Sequence, residues 1–166
     1  MLRDWVPLLL FLHVMGAIVA FGPTFIFPII GAQTAKAPQH GHFSAVVSEV
    51  IVKRVVLPLA VVQGVTGVLL IFGTGFDLLN TRWLLLSVIL YAIALAFAFV
   101  VQAPTAARMV ELTAMPAGAP PAAPGGPPGG RPPPEIAATA GRLRVGGMFL
   151  GGLIVLIVLL MVAKPF

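Results

Sequence analysis

One side chain that titrates near neutral pH lies inside a long apolar stretch of this chain: His13, in the run from residue 5 to residue 30. An imidazole placed there has two uses. Kept neutral, it makes a hydrogen bond to Tyr91, Gln63 or a backbone carbonyl, because a polar group left unpaired in hydrocarbon costs on the order of several kcal/mol. With a ring nitrogen turned to a ligand, it holds haem iron or copper. On a helix its neighbours at three and four residues are Leu9, Leu10, Gly16 and Ala17, and Ala20 continues the same face. Gly16 and Ala20 form a small-xxx-small pair, which admits the close approach of another helix or of a flat ligand. In the cofactor reading His13 is the metal ligand, Gly16 leaves room for the ring, Gln63 and Tyr91 support the imidazole, and b-type haem is the expected cofactor. The count of ligands restrains that reading. A bis-histidine haem needs two facing ligands and the apolar stretches hold one, so the second must come from a homodimer or a partner subunit, or the iron stays five-coordinate.

Other chemistries are excluded or weakened. Cysteine is absent, which removes disulfides, thiolate catalysis, thiolate-bound zinc and iron–sulfur clusters. There is no P-loop, G-x-S-x-G or H-E-x-x-H string, so no signature assigns an enzyme activity. The five acidic residues, Asp4, Glu49, Asp77, Glu111 and Glu135, stand in loops or at helix ends. Proton- or cation-coupled transport places a carboxylate within the bilayer, so that class is weakened. His40 and His42, spaced H-G-H, could meet one metal, but no third ligand of Cys, Asp or Glu type stands beside them, and loop histidines are the simpler account. The methionines are scattered and form no M-x-x-M run of a copper relay.

The elements that position His13 follow from composition. The 166 residues are 59% hydrophobic and 9% charged, with a mean hydropathy of +1.07. Soluble domains carry about 25% charged residues, so this is a membrane protein. Residues 5–30, 55–73, 83–101 and 145–163 are each long enough to cross about 30 Å of hydrocarbon at about 1.5 Å per residue. They show no alternation of period two, which makes them helices rather than barrel strands. The expected fold is therefore all-α, a polytopic four-transmembrane-helix bundle forming a single membrane domain. The first run stays apolar for too long to be a signal core, and Ile18 is too bulky for cleavage after Ala20, so it is retained as a helix. Counted from the outer helix ends, His13, Gln63, Thr66 and Tyr91 lie roughly 10 to 15 Å deep. Four polar side chains from three helices thus share one layer. The fourth span offers Gly147 and Gly151, a GxxxG pair for tight packing.

Basic residues set the orientation, since Lys and Arg in short loops stay cytoplasmic. One side holds Lys36, Lys53, Arg54, Arg108, Arg131, Arg142 and Arg144, and the other holds Arg3, Arg82 and Lys164. Both long loops are then cytoplasmic and both termini outside, with Trp5 and Trp83 at the outer interface. The net charge of +5 is thus topological and gives no footprint for nucleic acid. In the first long loop Phe43, Val46, Val47, Val50 and Ile51 recur at helical spacing, which predicts an amphipathic interfacial helix over 43–54. Pro58 and Pro104 predict kinks. Residues 116–134, PAGAPPAAPGGPPGGRPPP, carry no side chain able to build a core and form a flexible linker in the second cytoplasmic loop.

The strings LHVMGAIVAFGPTFIFP (residues 12–28), QGVTGVLL (63–70), Trp83-Leu84 with Leu90-Tyr91, and the closing LMVAKPF resemble a family of small bacterial predicted integral membrane proteins of unknown function. More distantly, through Leu12 and His13, they are similar to the copper-resistance CopD proteins and the haem-binding HemJ-type membrane proteins. The resemblance implies a bacterial cytoplasmic membrane protein in which His13 would be the haem or metal ligand. This chain lacks the further intramembrane histidines of that larger group. Three functional classes follow: a b-haem protein of electron transfer or haem-linked redox chemistry, a non-catalytic accessory subunit of a larger membrane complex, and a small permease or copper-handling protein.

Overall fold

The computed structural model describes residues 2–114 and 133–165. Residues 116–132 of the Pro/Gly-rich linker lie outside the described residues, while Pro133 and Pro134 open the last helix. Among the described residues every regular element is helical: α1 (Val6–Lys36), α2 (Gly41–Ile51), α3 (Leu57–Thr74), α4 (Arg82–Phe97), α5 (Ala103–Thr113) and α6 (Pro134–Ala163). They join into four apolar rods long enough to cross a membrane, Arg3–Lys36, Pro38–Thr74, Arg82–Thr113 and Pro134–Ala163. The protein is an all-α polytopic bundle.

Two prolines shape two of the rods in the same way. Pro58 has no N–H to offer the Arg54 carbonyl, and its ring crowds that carbonyl. The chain widens into a π-helical turn over Val52–Val56 just upstream and continues as helix. Pro104 is met by a second π-helical turn, Ala98–Gln102. The kinks expected at these prolines are absorbed as π turns. The stretch expected as an amphipathic helix forms α2, which runs through the first π turn into α3, with Glu49 and Lys53 paired across the junction. Its His42 Nδ1 lies 3.2 Å from Thr113 Oγ1 of α5.

The helices pack as two antiparallel pairs. In the first, α1 lies against α3, with His13 opposite Thr66 and Gly16 opposite Gln63. In the second, α4 and the π turn after it lie against α6. The rings of Phe97 and Phe149 meet edge to face at 5.0 Å, and Gln102 Nε2 donates to the Leu143 carbonyl at 3.1 Å. The pairs touch where Thr24 and Phe25 of α1 reach Gly151 of α6, where Tyr91 of α4 reaches Ala60 and Gly64 of α3, and where His42 of α2 meets Thr113 of α5. Buried positions are mostly small or polar, such as Ala20, Ala60, Ala94, Thr66 and Ser87, while Phe72, Val100 and Val162 face outward. Lipid is as apolar as leucine, so close backbone approach and hydrogen bonds hold such helices together.

Two expectations are corrected. The tight approach on α6 is at Gly146, where an added Cβ would overlap the amide of Gln102 and lie 3.2 Å from Phe97, whereas Gly147 and Gly151 have only ordinary contacts near 3.9 Å. Trp5 is 60% exposed but Trp83 only 8%, because the Phe76 ring packs edge-on at 5.9 Å and Lys164 Nζ lies 5.6 Å from the centre of the indole. The turn between the pairs begins at Gly75, whose φ of 73° is open to glycine. The Asp77 carboxylate then accepts from the backbone N–H of Leu79 at 3.0 Å and from Asn80. Those donors, the Asn80 amide first, hold the Asp77 carboxyl below its usual range.

Candidate intramembrane histidine site

The site begins with α3. Gln63, Thr66 and Gly67 share the side of α3 that meets α1, and Ala60 and Gly64 lie on the side that meets α4. A helix with glycines at 64 and 67 can be approached closely from two directions. Tyr91 uses the first gap: its ring packs 3.2 Å from where a Cβ of Gly64 would stand, and its hydroxyl donates to the Ala60 carbonyl. His13 uses the second, with its Cε1 3.2 Å from where a Cβ of Gly67 would stand.

The hydrogen bonds favour one form of the imidazole. Thr66 Oγ1 lies 3.0 Å from the Gln63 carbonyl, which can only accept, so the single hydroxyl proton of Thr66 is given there. His13 Nδ1 is 2.9 Å from the same hydroxyl oxygen. With the hydroxyl proton directed to that carbonyl, Nδ1 acts as the donor and the lone pair is left on Nε2. A ligating histidine is normally held in this way, one ring N–H fixed by an acceptor and the other nitrogen free for the metal. Beside it, Gln63 is 6% exposed and its Oε1 is the one buried side-chain oxygen without a hydrogen bond among the described residues. The layer therefore holds two unused acceptor sites, His13 Nε2 and Gln63 Oε1.

Of the four residues named from the sequence, the structure brings His13, Gly16 and Gln63 together and sets Tyr91 apart. His13 meets the Thr66 hydroxyl and the backbone of Gln63, one of the expected kinds of partner, while Tyr91 bonds the α3 backbone at Ala60 instead. Gly16 does not open a slot for a flat ring: the Gln63 amide fills the space, 2.8 Å from where a Cβ of Gly16 would stand. Thr66 had been placed in the layer by depth, but its spacing carried no sign that its own proton was committed elsewhere. Gln102 was missed as an interhelical bridge because it lies one residue past the expected span 83–101, just before the kink expected at Pro104. His40 and His42 gather no third ligand, and no cluster of three metal-binding residues occurs among the described residues.

An all-α bundle whose core is small and polar and whose surface is apolar is a polytopic integral membrane protein. Within that class the chain belongs to the predicted integral membrane protein family DUF2269, whose model matches residues 7–165. No curated protein matches it, and no solved structure matches it.

Proposed function

We propose that the chain binds b-type haem, or copper, through His13 Nε2 and serves electron transfer or haem-linked redox chemistry. The observation that carries this is the Thr66 hydroxyl set between the Gln63 carbonyl and His13 Nδ1, an arrangement that favours the lone pair on Nε2. The donor chemistry of His13 would suit a ligand to haem iron or copper, whereas Gly16 would take no part in seating a ring. Haem iron, when bound, supplies a one-electron couple. His13 supplies one ligand, Thr66 fixes the imidazole, and Gln63 offers a buried acceptor in the same layer. A second histidine ligand, if one were used, would have to come from a second copy or a partner subunit. The Leu12–His13 pair, similar to that of CopD and HemJ-type proteins, supports the same reading. An absorption spectrum of the protein purified in mild detergent from haem-replete cells tests it. A Soret band that is lost in His13→Ala is expected; no band, or an unchanged one in the variant, overturns it.

A second reading rests on α1. Ala20 is its one buried residue, so the helix that carries His13 lies at the rim of the bundle. An accessory subunit that docks through α1 onto a larger membrane complex has such a face. Co-purification with that complex is expected, and a lone monomer in native mass spectrometry counts against it. The excess of basic residues in the two long loops supports placement in a bacterial cytoplasmic membrane with both termini outside, and a periplasm-active reporter fused after Phe166 checks the orientation.

A further inference from the structure

An open groove of about 700 Å³ runs between α4 and α6, its polar lining negligible beside its apolar lining. Ile93, Phe97 and Val101 form one wall at helical spacing, Val145 and Phe149 form the other, and Arg142 lines the α6 wall between Ala138 and Val145. Two dimensions match a bilayer. From Phe149 back to Arg142 the groove follows about 10 Å of helix, which fits within one leaflet of a hydrocarbon layer about 30 Å thick. From Arg142 to the end of α6 the helix rises about 31 Å, so the guanidinium lies at headgroup level when the rest of α6 spans the hydrocarbon. Arg142 has no carboxylate partner among the described residues, since Glu111 and Glu135 are both engaged by Arg108. Next to it, a Cβ added at Gly141 would meet nothing within 4 Å, so the groove stays open beside the charge.

We propose that this groove holds one anionic phospholipid, with an acyl chain along Phe97 and Phe149 and the phosphate on Arg142. The charge selects the occupant. A second copy of the chain would cover the apolar walls but bring no anion to Arg142 from its own apolar spans. A zwitterionic lipid brings a phosphate together with a cation that opposes the guanidinium. Basic residues at the headgroup end of an interhelical groove recognise acidic headgroups on this principle. The site is separate from the His13 layer and does not depend on the proposed cofactor.

Native mass spectrometry of the intact protein, released from mild detergent after titration with phosphatidylglycerol or with phosphatidylcholine of the same chains, tests the proposal. Wild type is expected to retain phosphatidylglycerol about fivefold more tightly, the effect of one surface arginine on an acidic lipid. Arg142→Gln should bind the two lipids equally, while Arg144→Gln, which lies outside the groove lining, should keep the preference. Gly141→Phe builds into the open space and should lose both adducts. The proposal is overturned if Arg142→Gln keeps the preference, if adducts persist in a Gly141→Phe protein that melts like wild type, or if a dimer appears in place of lipid adducts. Should Gly141→Phe not fold, the two arginine variants decide the matter by themselves.

Discussion

The two helix pairs meet the same packing problem with the same residue types and end in different states. In each, a glycine on one helix receives a glutamine amide from the other: Gly16 takes Gln63 between α1 and α3, and Gly146 takes Gln102 between α6 and the π turn after α4. Gln102 is anchored by its bond to the Leu143 carbonyl. Gln63 has its oxygen buried with no donor, and the imidazole beside it presents another unused lone pair. The α4/α6 pair is thus a closed lock, and the α1/α3 pair carries an excess of acceptors. An orphaned acceptor costs about 1–3 kcal/mol, and a layer built only to hold helices together would gain by removing it. The difference separates polar residues that are bonded across a helix pair from polar residues whose acceptors are left unused.

The largest expected effect lies in the lock. Gly146→Ala forces a methyl into the Gln102 amide and against Phe97, and overpacking of this kind costs about 1–3 kcal/mol, with about 1 kcal/mol more if the bond to Leu143 is broken. Gly16→Ala displaces only the free end of Gln63, which has no bond to lose, and gains up to about 1 kcal/mol of helix propensity. Thermal or denaturant unfolding in mild detergent should rank Gly146→Ala well below Gly16→Ala. The reverse order breaks the comparison.

A smaller effect is expected at Thr66. Thr66→Val keeps the shape of the side chain but removes the acceptor of the His13 N–H. Interhelical hydrogen bonds in membranes average about 0.6 kcal/mol and reach about 1.7 kcal/mol, so the unfolding measurement should fall within that span. Cofactor affinity should fall further, by about 10–100-fold, because the imidazole loses the partner that sets its tautomer. A Soret titration that moves while stability barely does supports a ligand role. Equal, small changes in both leave Thr66 as helix glue.

Much of this was legible in the sequence, and the reason is physical. Length and hydropathy dictate spanning helices because unpaired backbone amides are not tolerated in lipid, and depth counting placed His13, Gln63, Thr66 and Tyr91 in one layer. What depth counting could not supply is rotation. Tyr91 and His13 sit at similar depth but meet different sides of α3, so their expected pairing does not form. The tight glycine is Gly146 rather than the Gly147–Gly151 pair, because Gln102 reaches α6 from a π turn that shifts the register of the helix before it. Straight-helix spacing carries no sign of that shift. Trp83 followed the same pattern: an indole at a span end reads as an interfacial anchor, and only the approach of Phe76 and Lys164 buries it.

The smallest stability change is the one that discriminates best. Gln63→Met and Gln102→Met are matched substitutions, each replacing an amide by an unbranched apolar chain of similar length. At Gln102 the change removes a made bond, and a loss of about 1 kcal/mol is expected. At Gln63 it removes an oxygen that has no donor, so the apoprotein should be unchanged or gain up to about 1 kcal/mol. Equal losses at the two positions would mean that Gln63 is satisfied in the folded protein, and the distinction between the pairs would collapse. If instead Gln63→Met is neutral in the apoprotein but weakens the haem-loaded form, the buried oxygen is kept for what His13 binds. Stability and cofactor retention measured on the same sample separate these outcomes, because removing an orphaned acceptor can lower the second only through the ligand.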